Sequence, residues 1–301
     1  MRRDTRQVFA QTAADLVDQD LSVALVYAEI SGQYLADVEQ RHPDRVVNVG
    51  IREQLLVNVG AGMALTGMRP VVHTFASFLV ERAFEQVKLG FSHQDVGGVL
   101  VSSGASYDIS GGGRTHQAPG DVALIDTLPD WTIHVPGHAD EVEAALRLAV
   151  AGSGRDYIRV TAHQNRDALP VTPGRFHVVR RGAGATVVAV GPMLDPVLEA
   201  VSGLDVSVVY AGTVRPFDGR GLRAVLATPD VVLVEPYLQG TSARCVDDAL
   251  VDVPHRLLAL GVGRTELRRY GAPADHAAAH GLDPSGIRRS IDGFLGLRGA
   301  A

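Results

Sequence analysis

A chain of 301 residues, 46% apolar and 21% charged, has material for two buried cores and is too apolar to remain disordered. Its formal net charge of −6 gives no general electrostatic attraction to nucleic acid or to acidic membranes, so neither is expected as a partner. The single cysteine, Cys245, excludes an internal disulfide framework and fits a reducing cytoplasm. The opening Met1-Arg2-Arg3-Asp4-Thr5-Arg6-Gln7 leads into no apolar signal segment. Apolar runs are strand-sized and too short to span a bilayer, which makes a soluble cytoplasmic protein the expectation.

In chain order, residues 5–18 carry apolar positions at helical spacing. Leu21–Tyr27 reads as a buried strand running into Ala28-Glu29-Ile30-Ser31-Gly32, and Arg45–Val49 as a second short strand. Glu53–Thr66 is a helix rich in small residues and closed by Gly67. Pro70–Thr74 is a third strand, Val80–Phe91 a helix and Gly98–Ser102 a fourth strand. A helix at Ala139–Ala151 and a strand at Tyr157–Val160 end this block. The Pro-, Gly- and Arg-rich segment 166–184 reads as a linker. Beyond it come strands at Ala185–Val190, Val206–Tyr210, Val231–Glu235 and His255–Leu260, with a terminal helix over Ser285–Leu295. The alternation predicts an α/β protein of two domains, 1–165 and 185–301, each a mostly parallel sheet flanked by helices.

Three segments carry chemistry. Val49-Gly50-Ile51-Arg52-Glu53-Gln54 puts a carboxylate at the start of a helix whose Gly60, Ala61 and Gly62 allow close packing. By itself Glu53 also fits an ordinary first-turn acid favoured by the helix dipole. His73-Thr74-Phe75-Ala76-Ser77-Phe78 offers two aromatics at i and i+3, suited either to a core or to a wall for a flat ring. Gly111-Gly112-Gly113-Arg114-Thr115-His116-Gln117 joins a backbone that can approach a ligand closely to a histidine able to hydrogen-bond one.

In this order the three segments resemble the pyrimidine-binding domain of transketolases, enzymes that use thiamine diphosphate with Mg²⁺. Residues Ala272–Ser285 are similar to the tail region of the family's carboxy-terminal domain, so the resemblance spans nearly the whole chain. It implies a thiamin diphosphate-binding fold followed by a transketolase C-terminal domain. It also implies roles. Glu53 would hydrogen-bond the cofactor's pyrimidine, Phe75 and Phe78 would hold that ring, and Glu29 would lie near the thiazolium. His116 would contact substrate, and Arg6 and Arg159 would bind the phosphate of a sugar phosphate, guanidinium offering bidentate donors to such oxygens. None of these residues is a metal ligand.

The family's remaining domain binds the diphosphate with a Gly-Asp-Gly and a later Asn-Asn, and this chain has no Gly-Asp-Gly. The resemblance therefore implies one subunit of a split transketolase, a homodimer of this chain within an α2β2 assembly with a separate diphosphate-binding subunit. Gly104 and Gly112 stand where transketolases place a His and an Asp that read donor hydroxyls; Gln33 replaces a serine and Glu81 an aromatic. Asp108 or Ser110 is the expected compensation. The implied activity is transfer of a two-carbon ketol unit from a ketose phosphate to an aldose, in carbohydrate metabolism and with altered sugar specificity. Other thiamine-dependent subunits, of 1-deoxyxylulose-5-phosphate synthase or 2-oxoacid dehydrogenase β type, and a non-catalytic regulatory partner are the alternatives.

Overall fold

The computed structural model describes residues 3–297. The first half begins with α1 (Thr5–Gln19), β1 (Val23–Tyr27), α2 (Gly32–Arg41) and β2 (Val46–Asn48). It continues through α3 (Glu53–Leu65), β3 (Arg69–Phe75), the short α4 (Phe84–Val87) and β4 (Gly98–Ser103). Then come α5 (Asp121–Ile125), β5 (Trp131–His134), α6 (Ala139–Ala151) and β6 (Arg155–Arg159). The second half opens with β7 (His177–Arg180), β8 (Thr186–Val190), α7 (Leu194–Ala200) and β9 (Ser207–Ala211). After β10 (Thr213–Arg215) and α8 (Gly219–Val225) it runs through β11 (Asp230–Leu238) and α9 (Ala243–Ala249). It closes with β12 (Arg256–Val262), α10 (Pro273–Ala279) and α11 (Pro284–Leu295). Two sheets with helices on their faces result, as the alternation of elements predicts.

The first sheet has the order β10-β5-β6-β4-β3-β1-β2, and all its pairings are parallel except β10 with β5. Strand order reverses between β1 and β3. In parallel α/β sheets the crevice at the carboxyl ends of such a pair is where ligands bind. The second sheet, β12-β11-β8-β9-β7, is parallel except for the edge strand β7.

Two features depart from the sequence reading. The segment 166–184 is not simply a connector, because His177–Arg180 pairs antiparallel with β9 as the second sheet's edge. Its exposed Val178 and Val179 give it no buried apolar signature. Conversely β10, from the second half, adds to the edge of the first sheet through Thr213 opposite His134. One apolar cluster runs from Leu56, Val72 and Leu100 to Val188, Val209 and Leu233, so the two sheets share a core. A separate cluster packs α1, α2 and α6 on the outer face of the first sheet, around Phe9, Leu35 and Leu146.

The expected helix Val80–Phe91 is also not regular. Ser77–Arg82 and Lys88–His93 are π-helical, with α4 between them. A π turn widens the helix locally and is often found where a side chain must be re-aimed.

Candidate active site

Carboxyl ends of the first sheet converge where the β2–α3 connection, β3 and the loop after β4 meet. Glu53 is the first residue of α3 and is almost fully buried at 1% exposure. Its Oε2 accepts a hydrogen bond from Arg82 Nη1 at 2.7 Å. The same guanidinium lies 4.0 Å over the ring of Phe78, a cation–π arrangement that holds it in place. Phe75, the last residue of β3, meets Phe78 edge-on at 6.0 Å between ring centroids. The imidazole of His116 sits 5.0 Å from Phe78 and 5.9 Å from Phe75, and Thr115 Oγ1 holds its Nδ1 at 3.0 Å. The structure thus brings Glu53, Phe75, Phe78 and His116 into one cluster, joined by Arg82.

Arg82 escapes sequence reasoning because a charged residue in a helical stretch reads as solvated. It lies four residues after Phe78 in the same helical turn, the spacing that brings it over that ring. Arg82→Ala leaves a buried carboxylate without that cation, and urea unfolding is expected to show a loss of about 1–3 kcal/mol.

Glu29 follows β1 at the neighbouring strand end and is exposed, with a left-handed backbone of φ 60°. Its N–H donates to Asn48 Oδ1 at 3.2 Å, and Asn48 Nδ2 donates to its carboxylate at 3.4 Å. Asn48 Oδ1 also accepts from the Gly50 N–H at 3.0 Å, tying Glu29 to the turn that delivers Glu53. Asn48 is a second positioning residue with no sequence signal beyond its place at the end of β2.

Arg6 is half-buried in the first turn of α1, which is anchored beside β6 by Thr5 Oγ1 donating to the Thr161 carbonyl at 2.8 Å. Its positive charge adds to the dominant effect of burial, which pushes the His73 imidazole down to about 3. Arg159 behaves differently from the expected phosphate clamp. At 1% exposure its Nε donates to Asp121 Oδ2 at 2.7 Å and its Nη2 to Ser106 Oγ at 2.6 Å. Tyr157 Oη donates to the same Asp121 oxygen at 2.7 Å. The guanidinium is occupied as an internal tie between β6, α5 and the loop after β4.

The expected compensating groups are also occupied. Asp108 accepts from Thr161 Oγ1 at 3.0 Å and from the Ala162 N–H at 2.8 Å, and burial pushes its carboxyl above the ordinary range. Ser110 Oγ donates to the Gly271 carbonyl at 2.8 Å. Both tie the loop to other parts of the chain. The two glycines are themselves built in. Gly104 has φ +70°, and a β-carbon there would meet Ile109 Cδ1 at 2.5 Å; one at Gly112 would meet the His116 ring at 2.8 Å. Gly104→Ala is expected to cost about 2–4 kcal/mol of unfolding free energy in urea, from left-handed backbone strain plus overpacking.

Among the described residues no group of three His, Cys, Asp or Glu side chains is placed to hold a metal ion. No helix among them is long and apolar enough to cross a membrane.

The chain is similar to known proteins in sequence and fold. Residues 2–166 match the family described as transketolase, pyrimidine binding domain. An uncharacterized 33.6 kDa protein in the fasciation locus of Rhodococcoides fascians is 49% identical over 97% of this chain and 95% of its own length. The 1-deoxy-D-xylulose-5-phosphate synthase of Acidovorax sp. (strain JS42) is 32% identical over 98% of this chain and 48% of its own length. The chain therefore spans about half of such synthases. Among solved structures, a split gene transketolase, an inactive β4 tetramer, superposes with a TM-score of 0.85 at 25% identity, covering 98% of this chain and 99% of that one. The transketolase from Leishmania mexicana shares the fold with a TM-score of 0.79 at 18% identity, over 98% of this chain and 46% of that one.

Proposed function

We propose, from the premise that this chain belongs to the transketolase pyrimidine-binding family, that it is the pyrimidine-binding subunit of a split thiamine-diphosphate enzyme. The observation that carries the reading is the cluster in which Glu53, nearly fully buried, shares Arg82 with an aromatic corner of Phe75, Phe78 and His116. A flat heteroaromatic ring fits such a corner, and a buried carboxyl at its edge suits a ring nitrogen.

Thiamine diphosphate, when bound, would supply a nucleophilic carbon for chemistry at a ketone. The chain's own residues prepare the place for it. Glu53 holds the pyrimidine by a hydrogen bond strengthened by burial. Phe75 and Phe78 would hold the ring and keep water from its face, and His116 would hydrogen-bond a substrate oxygen. Glu29 would lie toward the cofactor's other ring, and Arg6 would offer a guanidinium to a substrate phosphate. With the Arg159 guanidinium committed to Asp121, Arg6 is the phosphate-binding residue we retain.

Magnesium and the diphosphate belong to a second subunit. Exposed Ile51, Leu55, Leu65 and Leu89, along and beside α3, support an apolar contact with another chain next to Glu53. The related split enzyme described as an inactive β4 tetramer supports the reading that this chain alone, even self-assembled, does not turn over. The assembly we assign is α2β2, in the cytoplasm. The first reaction we assign is two-carbon ketol transfer from a ketose phosphate to an aldose, with sugar specificity altered by Gly104 and Gly112. The synthase relatives favour a second reading, in which a 2-oxoacid such as pyruvate is the donor. Co-expression with a diphosphate-binding subunit, followed by cofactor binding and a donor screen, tests both. Turnover of ketose phosphates supports the first and turnover of pyruvate the second. A complex that binds no thiamine diphosphate replaces both with a regulatory role.

A further inference from the structure

We propose that the irregular segment of residues 263–272, between β12 and α10, is a clamp that sets the position of His116. Gln117 and Ser110 are its positioning residues. The proposal rests on the reading of His116 as a substrate contact, and it gives the second half of the chain a part in the chemistry of the first.

The sequence makes a clamp necessary. Gly111-Gly112-Gly113 precede His116 and leave the backbone with little steric restriction, so the loop does not fix its own geometry. Among the described residues, the side chains of residues 110–117 that bond beyond their own loop all bond to this one segment. Ser110 Oγ donates to the Gly271 carbonyl at 2.8 Å, and Gln117 Nε2 donates to the Arg269 carbonyl at 3.2 Å. Both side chains are buried, so a lost donor is not made good by water. Tyr270 packs on Gly113, where a β-carbon would meet its Cε1 at 2.7 Å. Arg114 adds an ion pair to Glu266 at 2.9 Å, a weaker tie because both groups are exposed. Within the loop its Nη1 donates to the Gln117 carbonyl at 2.8 Å, which ties that ion pair to the residue next to His116.

The two buried anchors flank His116 along the chain. With the backbone pinned on both sides, the imidazole meets Phe78 and Phe75 edge-on at 5.0 and 5.9 Å. Thr115 Oγ1 lies 3.0 Å from its Nδ1, which leaves Nε2 as the edge open to a ligand. A shift of the loop by about 1 Å is enough to cost a reaction up to roughly 10²-fold, so anchors of this kind bear on rate as well as on stability.

The test is read first on the full chain alone, from the proton–carbon cross-peaks of the His116 imidazole. Ring currents of Phe75 and Phe78 displace these peaks from random-coil positions in wild type. Gln117→Met keeps the length of the side chain and removes the donor, and is expected to move the peaks toward random coil. Ser110→Ala is expected to move them in the same direction, and it decides the matter if Gln117→Met does not fold. Ser207→Ala removes two bonds to Gly182 at the amino end of β9, away from the loop, and is expected to leave the peaks in place. In the assembled two-subunit enzyme, Gln117→Met is expected to lower kcat roughly tenfold or more with thiamine diphosphate affinity unchanged. His116 peaks that stay in place in the folded variants overturn the proposal, as does an equal displacement in Ser207→Ala. Displaced peaks with kcat unchanged support the clamp and overturn instead the role of His116 in the reaction.

Discussion

Replacing Glu53 by glutamine is expected to lower turnover of the assembled two-subunit enzyme by about 10²–10⁴-fold, the range a positioned acid–base group supplies. Glutamine has the size of glutamate and retains a carbonyl oxygen for Arg82, so the fold of α3 and the aromatic corner should survive. What is lost is the acid. The carboxyl sits at the amino end of α3 with 1% of its surface exposed, where a hydrogen bond to a ring nitrogen meets little competition from water. Turnover should be measured at saturating cofactor, with cofactor affinity measured separately by calorimetry. A control at the partly exposed Glu143, Glu143→Gln on α6, should leave turnover unchanged. Turnover of Glu53→Gln within threefold of wild type would remove Glu53 from the chemistry.

Much of the fold is legible because burial imposes a period. Val23–Tyr27 and Thr186–Val190 are wholly buried and read as apolar runs, and the helix expected at Ala139–Ala151 has those bounds in the structure. Elements without that imprint escape. Helix α2 buries only Leu35 and Val38, and its cap, Ser31, makes no side-chain hydrogen bond to the helix. Strands β7 and β10 are edges of four and three residues, placed by hydrogen bonds to distant strands.

The site divides the same way. Glu53, Phe75, Phe78 and His116 are legible as a motif set. Arg82 depends on a pairing with Glu53 across 29 residues, and Asn48 on a turn closed through space. The pairing of Arg159 with Asp121, 38 residues apart, is a tertiary fact that no local pattern shows. The same holds for Asp108 and Ser110, whose partners lie 53 and 161 residues away.

Glu235→Gln is expected to stabilise the chain at alkaline pH and to do so progressively less as pH falls. Glu235 lies on β11 with no exposed surface. One carboxyl oxygen accepts from the Ser242 N–H at 3.1 Å, and the other has no partner. Burial dominates and raises its pKa from 4.5 to about 7, against the opposing pull of the Ser242 hydrogen bonds and the Arg215 charge. Below pH 4.5 the folded and unfolded chains both hold the proton, and the group costs nothing. Between 4.5 and 7 the folded chain keeps a proton that the unfolded chain releases, so stability falls as pH rises; above 7 the penalty is constant. A shift of this size corresponds to about 3 kcal/mol. Glutamine stays neutral throughout and escapes that penalty. Urea unfolding at pH 5 and pH 8 should therefore show the advantage of Glu235→Gln over wild type growing by roughly 2–3 kcal/mol between the two. An advantage that does not change with pH would mean that Glu235 is ionised in the folded chain at both, stabilised by Arg215 more strongly than burial opposes it.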